Sequence, residues 1–508
     1  MYAKTFGETT CGINGEEIIV EVDISNGLPA FELVGLPDTS VRESRERVRA
    51  ALKNSGYKFP MTRITVNLAP ADFKKDGSGL DLPIAIGILC GSGQINAEAI
   101  CDKVFVGELS LDGGIREVSG ILPMIIKAKE AGRKEIFIPP GNAAEGELVD
   151  GIEVFAPESL TQLALHLEKE DMLAALSKRK MSIESNCVYN VDFSDVQGQL
   201  VAKRALEIAA AGGHNVRMVG APGAGKTMLA RRLPTILPPM TEEEALEVTK
   251  IYSIAGLLNR KQGLVLERPF RSPHHTISHS ALIGGGSIPK PGEVTLSHNG
   301  VLFLDELPEF SRMALEVLRQ PLEDGFVTIS RVQATLTFPA TFILVSAENP
   351  CPCGFYGETD GVHECSCRIG DIDRYHKKIS GPLLDRIDIQ IHVPRLEYNE
   401  MRADNRTECS ADIRKRVIEA RKLQLERLQG TGLHCNAEMS RREIKKKCHM
   451  TAETEQLLQR AFVSLGLSAR SHDRIIKVAQ TIADLEHSDV INTFHLAEAI
   501  ELRTISKG

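Results

Sequence analysis

Eight consecutive residues, Gly220-Ala221-Pro222-Gly223-Ala224-Gly225-Lys226-Thr227, follow the apolar run Val216-Arg217-Met218-Val219 and open a helical stretch. Their spacing is G-x-x-x-x-G-K-[ST], and both contexts that give this pattern meaning, a strand before and a helix after, can be read around it. Such a loop turns backbone N–H groups inward around phosphates, and the helix N-terminus adds partial positive charge. Lys226 is expected to reach the β- and γ-phosphates of ATP, and the Thr227 hydroxyl to ligate Mg²⁺. Further on, Val301-Leu302-Phe303-Leu304 ends in Asp305-Glu306. Buried parallel strands read as continuous apolar sequence, and ligands bind where such strands end. Asp305 is expected to hold Mg²⁺ through water, and Glu306 to orient and deprotonate the attacking water.

A second kind of chemistry is carried by sulfur. Cys351-Pro352-Cys353 and Cys365-Ser366-Cys367 place four thiols within 17 residues. Four thiolates suit a tetrahedral structural Zn²⁺, although C-x-C is tighter than the usual C-x₂-C. Unligated thiols and a redox pair are the alternatives.

Composition bounds the rest. A chain of 508 residues is too long for one core and implies about three domains. Charged residues at 25% and hydrophobic ones at 42% describe an ordinary globular protein. A net charge of −8 gives no whole-chain signature of nucleic-acid binding, so any basic surface must be local. Residues 401–450 are such a place, with 13 Lys+Arg against 7 Asp+Glu. The N-terminus lacks the apolar segment of a signal peptide and no apolar run approaches spanning length, so a cytoplasmic protein without a membrane partner is expected. Eleven cysteines are then mostly reduced thiols.

The elements that must position these residues fall into four stretches. Residues 1–170 mix strands (17–24, 63–68) with helices (40–52, 80–89, 121–130), an α+β domain. Residues 171–190 are a charged, poorly patterned linker. Residues 191–395 carry the phosphate loop in an α/β core, and 326–338 alternates like a hairpin. Residues 396–508 are helical, with helix starts read at Ser410 and Thr451. The whole is an α/β multidomain chain.

A resemblance follows from particular motifs. Phe193-Ser194-Asp195-Val196-Gln197-Gly198-Gln199, the phosphate loop, Leu304-Asp305-Glu306, Asn349 at the end of the run 341–349, and Leu383-Leu384-Asp385-Arg386 resemble the AAA+ ATPases. Arg271-Ser272-Pro273-His274-His275-Thr276 and Leu318-Arg319-Gln320-Pro321-Leu322-Glu323-Asp324-Gly325 narrow this to the magnesium-chelatase type, and the Lon-like N-terminal region described below narrows it further to the type associated with competence. The resemblance implies that Asn349 bonds the γ-phosphate and attacking water, and that Arg386 is an arginine finger for a neighbouring subunit. It also implies that Arg470, in Leu467-Ser468-Ala469-Arg470, reaches the γ-phosphate from the helical lid, with Arg474 as the competing choice. Members are described as hexameric ATPases driving branch migration of DNA, so a hexamer acting on single-stranded or branched DNA is expected. Lys290, in the His-rich insertion 269–300, and Arg331, in the hairpin, are the candidate DNA contacts; metal binding by the histidines is the lesser reading. A protein-remodelling or metal-chelatase motor is the alternative.

Residues 1–170 resemble the Lon-protease C-terminal domain through Lys75-Asp76-Gly77-Ser78-Gly79, Gly107 to Gly113, and Ala131-Gly132 before Ile136 to Pro139. That family cuts peptides with a Ser-Lys dyad. Here the nucleophile position falls on Gly79 and the lysine position on Met124, so a non-proteolytic domain is expected. A dyad relocated to Ser78 and Lys127 is the remaining way to proteolysis.

Overall fold

The computed structural model describes residues 1–75, 77–179, 189–259, 263–286, 289–330, 335–357, 364–395 and 407–503. The N-terminal unit is built on strands β1 (Tyr2–Cys11), β2 (Asn14–Ser25), β3 (Ala30–Val34), β4 (Arg63–Ala69), β5 (Lys103–Phe105), β6 (Glu135–Phe137) and β7 (Glu153–Phe155). They form one mixed sheet in the order β3-β4-β2-β1-β5-β6-β7. In β2, Ile18, Val20, Val22 and Ile24 alternate into the core, the period-2 pattern of a strand with one buried face. Helices α1 (Thr39–Asn54), α2 (Asp81–Gly91) and α3 (Ile121–Glu130) cover the sheet. Residues 171–179 are less loose than a linker: Leu176 N–H donates to Val154 O at 2.8 Å, and Arg179 N–H to Glu147 O at 3.0 Å. Residues 180–188 lie outside the described residues.

The second unit holds β8 (Val216–Val219), β9 (Phe270–Arg271), β10 (Gly300–Leu304), β11 (Phe326–Ser330), β12 (Thr335–Pro339), β13 (Phe342–Glu348) and β14 (Ile389–His392). Five of these make a parallel sheet ordered β9-β10-β13-β8-β14, while β11 and β12 pair as the separate hairpin that alternation in the sequence predicts. Helices α4 (Leu200–Gly212) and α5 (Lys226–Ile236) pack on the sheet, and α6 (Glu242–Ile254) reaches away from it. A Thr241–Glu244 capping box starts α6. Ala245 and Val248 of α6 then join Ile121, Leu122 and Ile125 of α3 in one apolar cluster. The second unit is thereby seated on the N-terminal unit.

Helices α7 (Ser410–Arg427), α8 (Arg441–Lys447), α9 (Ala452–Ser464), α10 (Ala469–Leu485) and α11 (Thr493–Glu501) complete the chain and share one hydrophobic core with α4, α5 and β8. Thr451 caps α9 through its side chain, as read from sequence. Ser410 does not cap α7. Its N–H donates to the Asp192 carboxylate at 3.1 Å, and its hydroxyl accepts from Phe193 N–H at 2.8 Å. The carboxylate does the capping, and the serine ties α7 to the strap before the phosphate loop.

Candidate active site

β8 delivers the phosphate loop at its C-terminal end. Gly220 must be glycine there, because a Cβ would lie 2.2 Å from Val393 O, the residue after β14. Lys226 heads α5 with its ammonium folded onto the loop: it donates to Gly220 O, to Ala221 O at 3.0 Å and to Asn349 Oδ1 at 3.2 Å. These acceptors occupy the cation where phosphates would replace them. The Thr227 hydroxyl donates to Asp305 Oδ2 at 2.8 Å, and Glu306 N–H to Asp305 Oδ1 at 3.0 Å. A hydroxyl beside a carboxylate fits Mg²⁺, a hard ion that takes oxygen ligands and keeps several waters. From β10, β13 and α5, the fold thus brings together Lys226, Thr227, Asp305, Glu306 and Asn349.

Glu306 has a φ of +53°, a left-handed conformation that costs a non-glycine residue about 1–2 kcal/mol. Its side chain is half exposed, and Oε2 lies 3.1 Å from His275 Nδ1. His275 is a partner that motif reading missed, although it lies within the quoted Ser-Pro-His-His stretch. Only the return of that segment beside β10 shows which histidine faces the carboxylate.

Arg386 and Arg470 are placed elsewhere. β8 and β14 are parallel, with Val216 opposite Ile389 and Val219 opposite His392. Arg386 therefore precedes the start of β14, and its carbonyl accepts from Asn215 Nδ2 at 3.0 Å. The phosphate loop leaves the other end of β8, about 10 Å of strand away. Arg386 donates to Pro382 O at 2.8 Å and to Glu323, whose carboxyl it holds below the usual range; its Nε is buried without a hydrogen-bond partner. Beside it, a cleft of about 1230 Å³ is lined by Asn215, Glu323, Arg386, Asp388, Arg470 and Arg474. Burial opposes the charge of Asp388, but Arg474 and then His214 outweigh it and keep its carboxyl far below the usual range. Arg474 is thus committed to Asp388, whereas Arg470 is exposed at the cleft. The lid brings Arg470 beside Arg386 rather than to the loop of its own chain, because α10 docks on the β8-start edge, where His214 meets Thr481 at 2.8 Å.

The family description "Magnesium chelatase, subunit ChlI" matches residues 192–401, which include the phosphate loop, His275, Asp305, Glu306, Asn349 and Arg386. "Subunit ChlI of Mg-chelatase" matches 20–142, and "Magnesium chelatase, subunit ChlI C-terminal" matches 407–503. The competence protein ComM of Haemophilus influenzae is 43% identical over 99% of this chain and 97% of its own length. The chain belongs to the ComM-type, magnesium-chelatase-like AAA+ proteins. YifB of Salmonella typhimurium is 44% identical over 98% of the chain and 96% of its own length. Lon protease 2 of Bacillus subtilis is 28% identical over 27% of the chain and 26% of its own length.

In this ComM-type chain the relocated dyad is not assembled. The Ser78 hydroxyl donates to Glu108, Lys127 faces Glu16 at 3.6 Å, and Met124 is buried. Of the histidines of the 269–300 insertion, His298 serves structure: it meets Glu247 at 3.0 Å and accepts from Thr341 N–H at 3.1 Å. Lys290 is exposed on a two-residue strand, and Arg331 lies outside the described residues. Both insertions are anchored in one apolar cluster, in which Leu282, Val294, Ile329 and Phe338 pack with Leu304 and Leu307 on either side of Asp305-Glu306. The sulfur atoms of Cys351, Cys353, Cys365 and Cys367 all lie within 4.8 Å of one another.

Proposed function

We propose that this AAA+ chain is the subunit of a cytoplasmic, hexameric ring motor that hydrolyses ATP to move single-stranded or branched DNA during recombination or transformation. The observation that carries the ring is the separation of Arg386 from Lys226 across the sheet. A guanidinium at the β8-start edge has no route to its own chain's nucleotide, whereas a neighbour packed on that edge would bring its γ-phosphate to Arg386 and Arg470. A planar, permanent charge there stabilises the spreading charge of phosphoryl transfer.

Lys226 and the loop N–H groups would bind the β- and γ-phosphates, and Thr227 with Asp305 would hold Mg²⁺, which neutralises developing charge. Glu306 would accept the proton of the attacking water, and Asn349 would position that water against the γ-phosphate. The shared cluster around Leu304 and Leu307 supports transmission of these events to the two insertions, where Lys290 and Arg331 would track a phosphate backbone. Zn²⁺ at the four cysteines would be structural.

Measuring ATPase rate with and without single-stranded and branched DNA, followed by a joint-migration assay, tests this reading. Stimulation of several-fold, falling steeply with salt, is expected. Absence of both stimulation and low-salt binding would reject the DNA motor and favour a protein-remodelling or chelatase-type role.

A further inference from the structure

The cysteine cluster touches the phosphate loop. Cys351 comes two residues after Asn349, whose amide oxygen accepts from Lys226 at 3.2 Å. Cys351-Pro352-Cys353-Gly354 closes as a tight turn, with Gly354 N–H donating to Cys351 O at 2.9 Å and Gly354 at a φ of +89°. A Cβ on Gly354 would lie 2.6 and 2.7 Å from Cδ and Cγ of Pro222, inside the phosphate loop, and 4.0 Å from Asn349 Cγ. The turn is therefore seated directly on the loop, with no room for a methyl group between them.

The sulfur geometry is that of a metal site. Cys351 and Cys353 are 3.3 Å apart, Cys351 and Cys365 3.7 Å, and Cys353 and Cys365 3.6 Å. A disulfide requires about 2.05 Å. Four thiolates at about 2.3 Å from a tetrahedral ion stand about 3.8 Å apart, which these separations approach. Cys351 is fully buried and the other three are partly covered, as in a closed structural site. The first pair belongs to the segment that ends β13, and the second to the stretch leading into the helix Ile369–His376. Residues 358–363 between the pairs lie outside the described residues.

We propose that Cys351, Cys353, Cys365 and Cys367 bind one Zn²⁺ per chain and that this metal clamps the phosphate loop, so that nucleotide binding depends on it. The clamp rests on the zinc reading given above and adds a consequence to it. With the ion in place, the turn presses Gly354 on Pro222 and fixes Asn349 beside Lys226. Without it, the two short C-x-C turns lose the metal bonds that join them, and both the loop and Asn349 lose that support.

The test uses the full chain, expressed with zinc and purified without chelator. Elemental analysis gives the metal per chain, and a fluorescent ATP analogue gives affinity. Zinc is then stripped from the folded protein with a mercurial thiol reagent, its release followed with a colorimetric zinc indicator. About one zinc per chain is expected, with affinity falling tenfold or more as zinc leaves and returning after thiol and zinc are restored. Gly354→Ala leaves the ligands untouched and should keep its zinc while losing a similar factor in affinity. No zinc with all four thiols titrating freely overturns the metal site. One zinc per chain with affinity unchanged, both on stripping and in Gly354→Ala, overturns the clamp alone.

Discussion

Glu306 is held in a strained backbone conformation with its carboxylate against His275, and that pairing makes a separable prediction for each partner. Glu306→Gln keeps the shape but cannot take a proton. Hydrolysis should fall by about a hundredfold or more, the usual contribution of a positioned base, while ATP binding persists. If turnover survives in Glu306→Gln, the base is another residue. His275 touches no phosphate-binding group in this arrangement and acts by fixing where the Glu306 carboxylate points. His275→Asn should therefore lower kcat on the order of tenfold with KM unchanged. A raised KM at constant kcat would instead make His275 a contributor to nucleotide binding. Of these two residues only Glu306 was legible in the sequence. Its proposed role is read from a contiguous apolar run that ends in acids, whereas the choice of His275 over its neighbour His274 depends on how a separate segment returns to β10.

At the scale of elements, β1 shows why sequence reading is uneven. Its buried positions include Thr5, Glu8 and Thr9, all nearly inaccessible, so the strand lacks the apolar alternation that makes β2 and β4 readable. Glu8 is the costly one: both carboxyl oxygens are buried without a hydrogen-bond partner. Burial, followed by the charge of Glu17, pushes its carboxyl up to about 9. The folded chain keeps a proton at Glu8 that the unfolded chain releases near pH 4.5. Stability from this group is then complete below that pH and is lost as pH climbs towards 9. Glu8→Gln removes the titration, so it should raise the melting temperature at pH 8 by a few degrees and have little effect at pH 4.5. An equal shift at both pH values would mean that Glu8 is not protonated in the fold. The helices were the more legible elements, since α3 follows apolar spacing and α9 adds the Thr451 cap to it. The helix start at Ser410 was legible too, but its capping group was not, because Asp192, far away in sequence, supplies the carboxylate.

At the scale of the whole molecule, the residues expected to serve one nucleotide site lie in two separate places on the same chain. Lys226, Thr227, Asp305, Glu306 and Asn349 gather at one edge of the parallel sheet, while Arg386 and Arg470 line a cleft at the other. The first group was legible because each residue ends a strand or opens a helix within a short motif. The companions of Arg386 were not, since Glu323 and Asn215 come to it from distant segments and nothing local specifies them. The N-terminal unit shares an apolar cluster with α6, so it should move with the ATPase core as one body. That division of the site is the central claim, and mixing two inactive variants tests it most directly. Lys226→Ala lacks a working phosphate loop and Arg386→Ala lacks the finger, so each alone should be inactive. In a mixed ring, an intact loop from Arg386→Ala meets an intact arginine from Lys226→Ala at some interfaces. ATPase activity should reappear on mixing and rise with protein concentration; a mixture as inactive as its components, with mixed rings shown to form, would contradict the account.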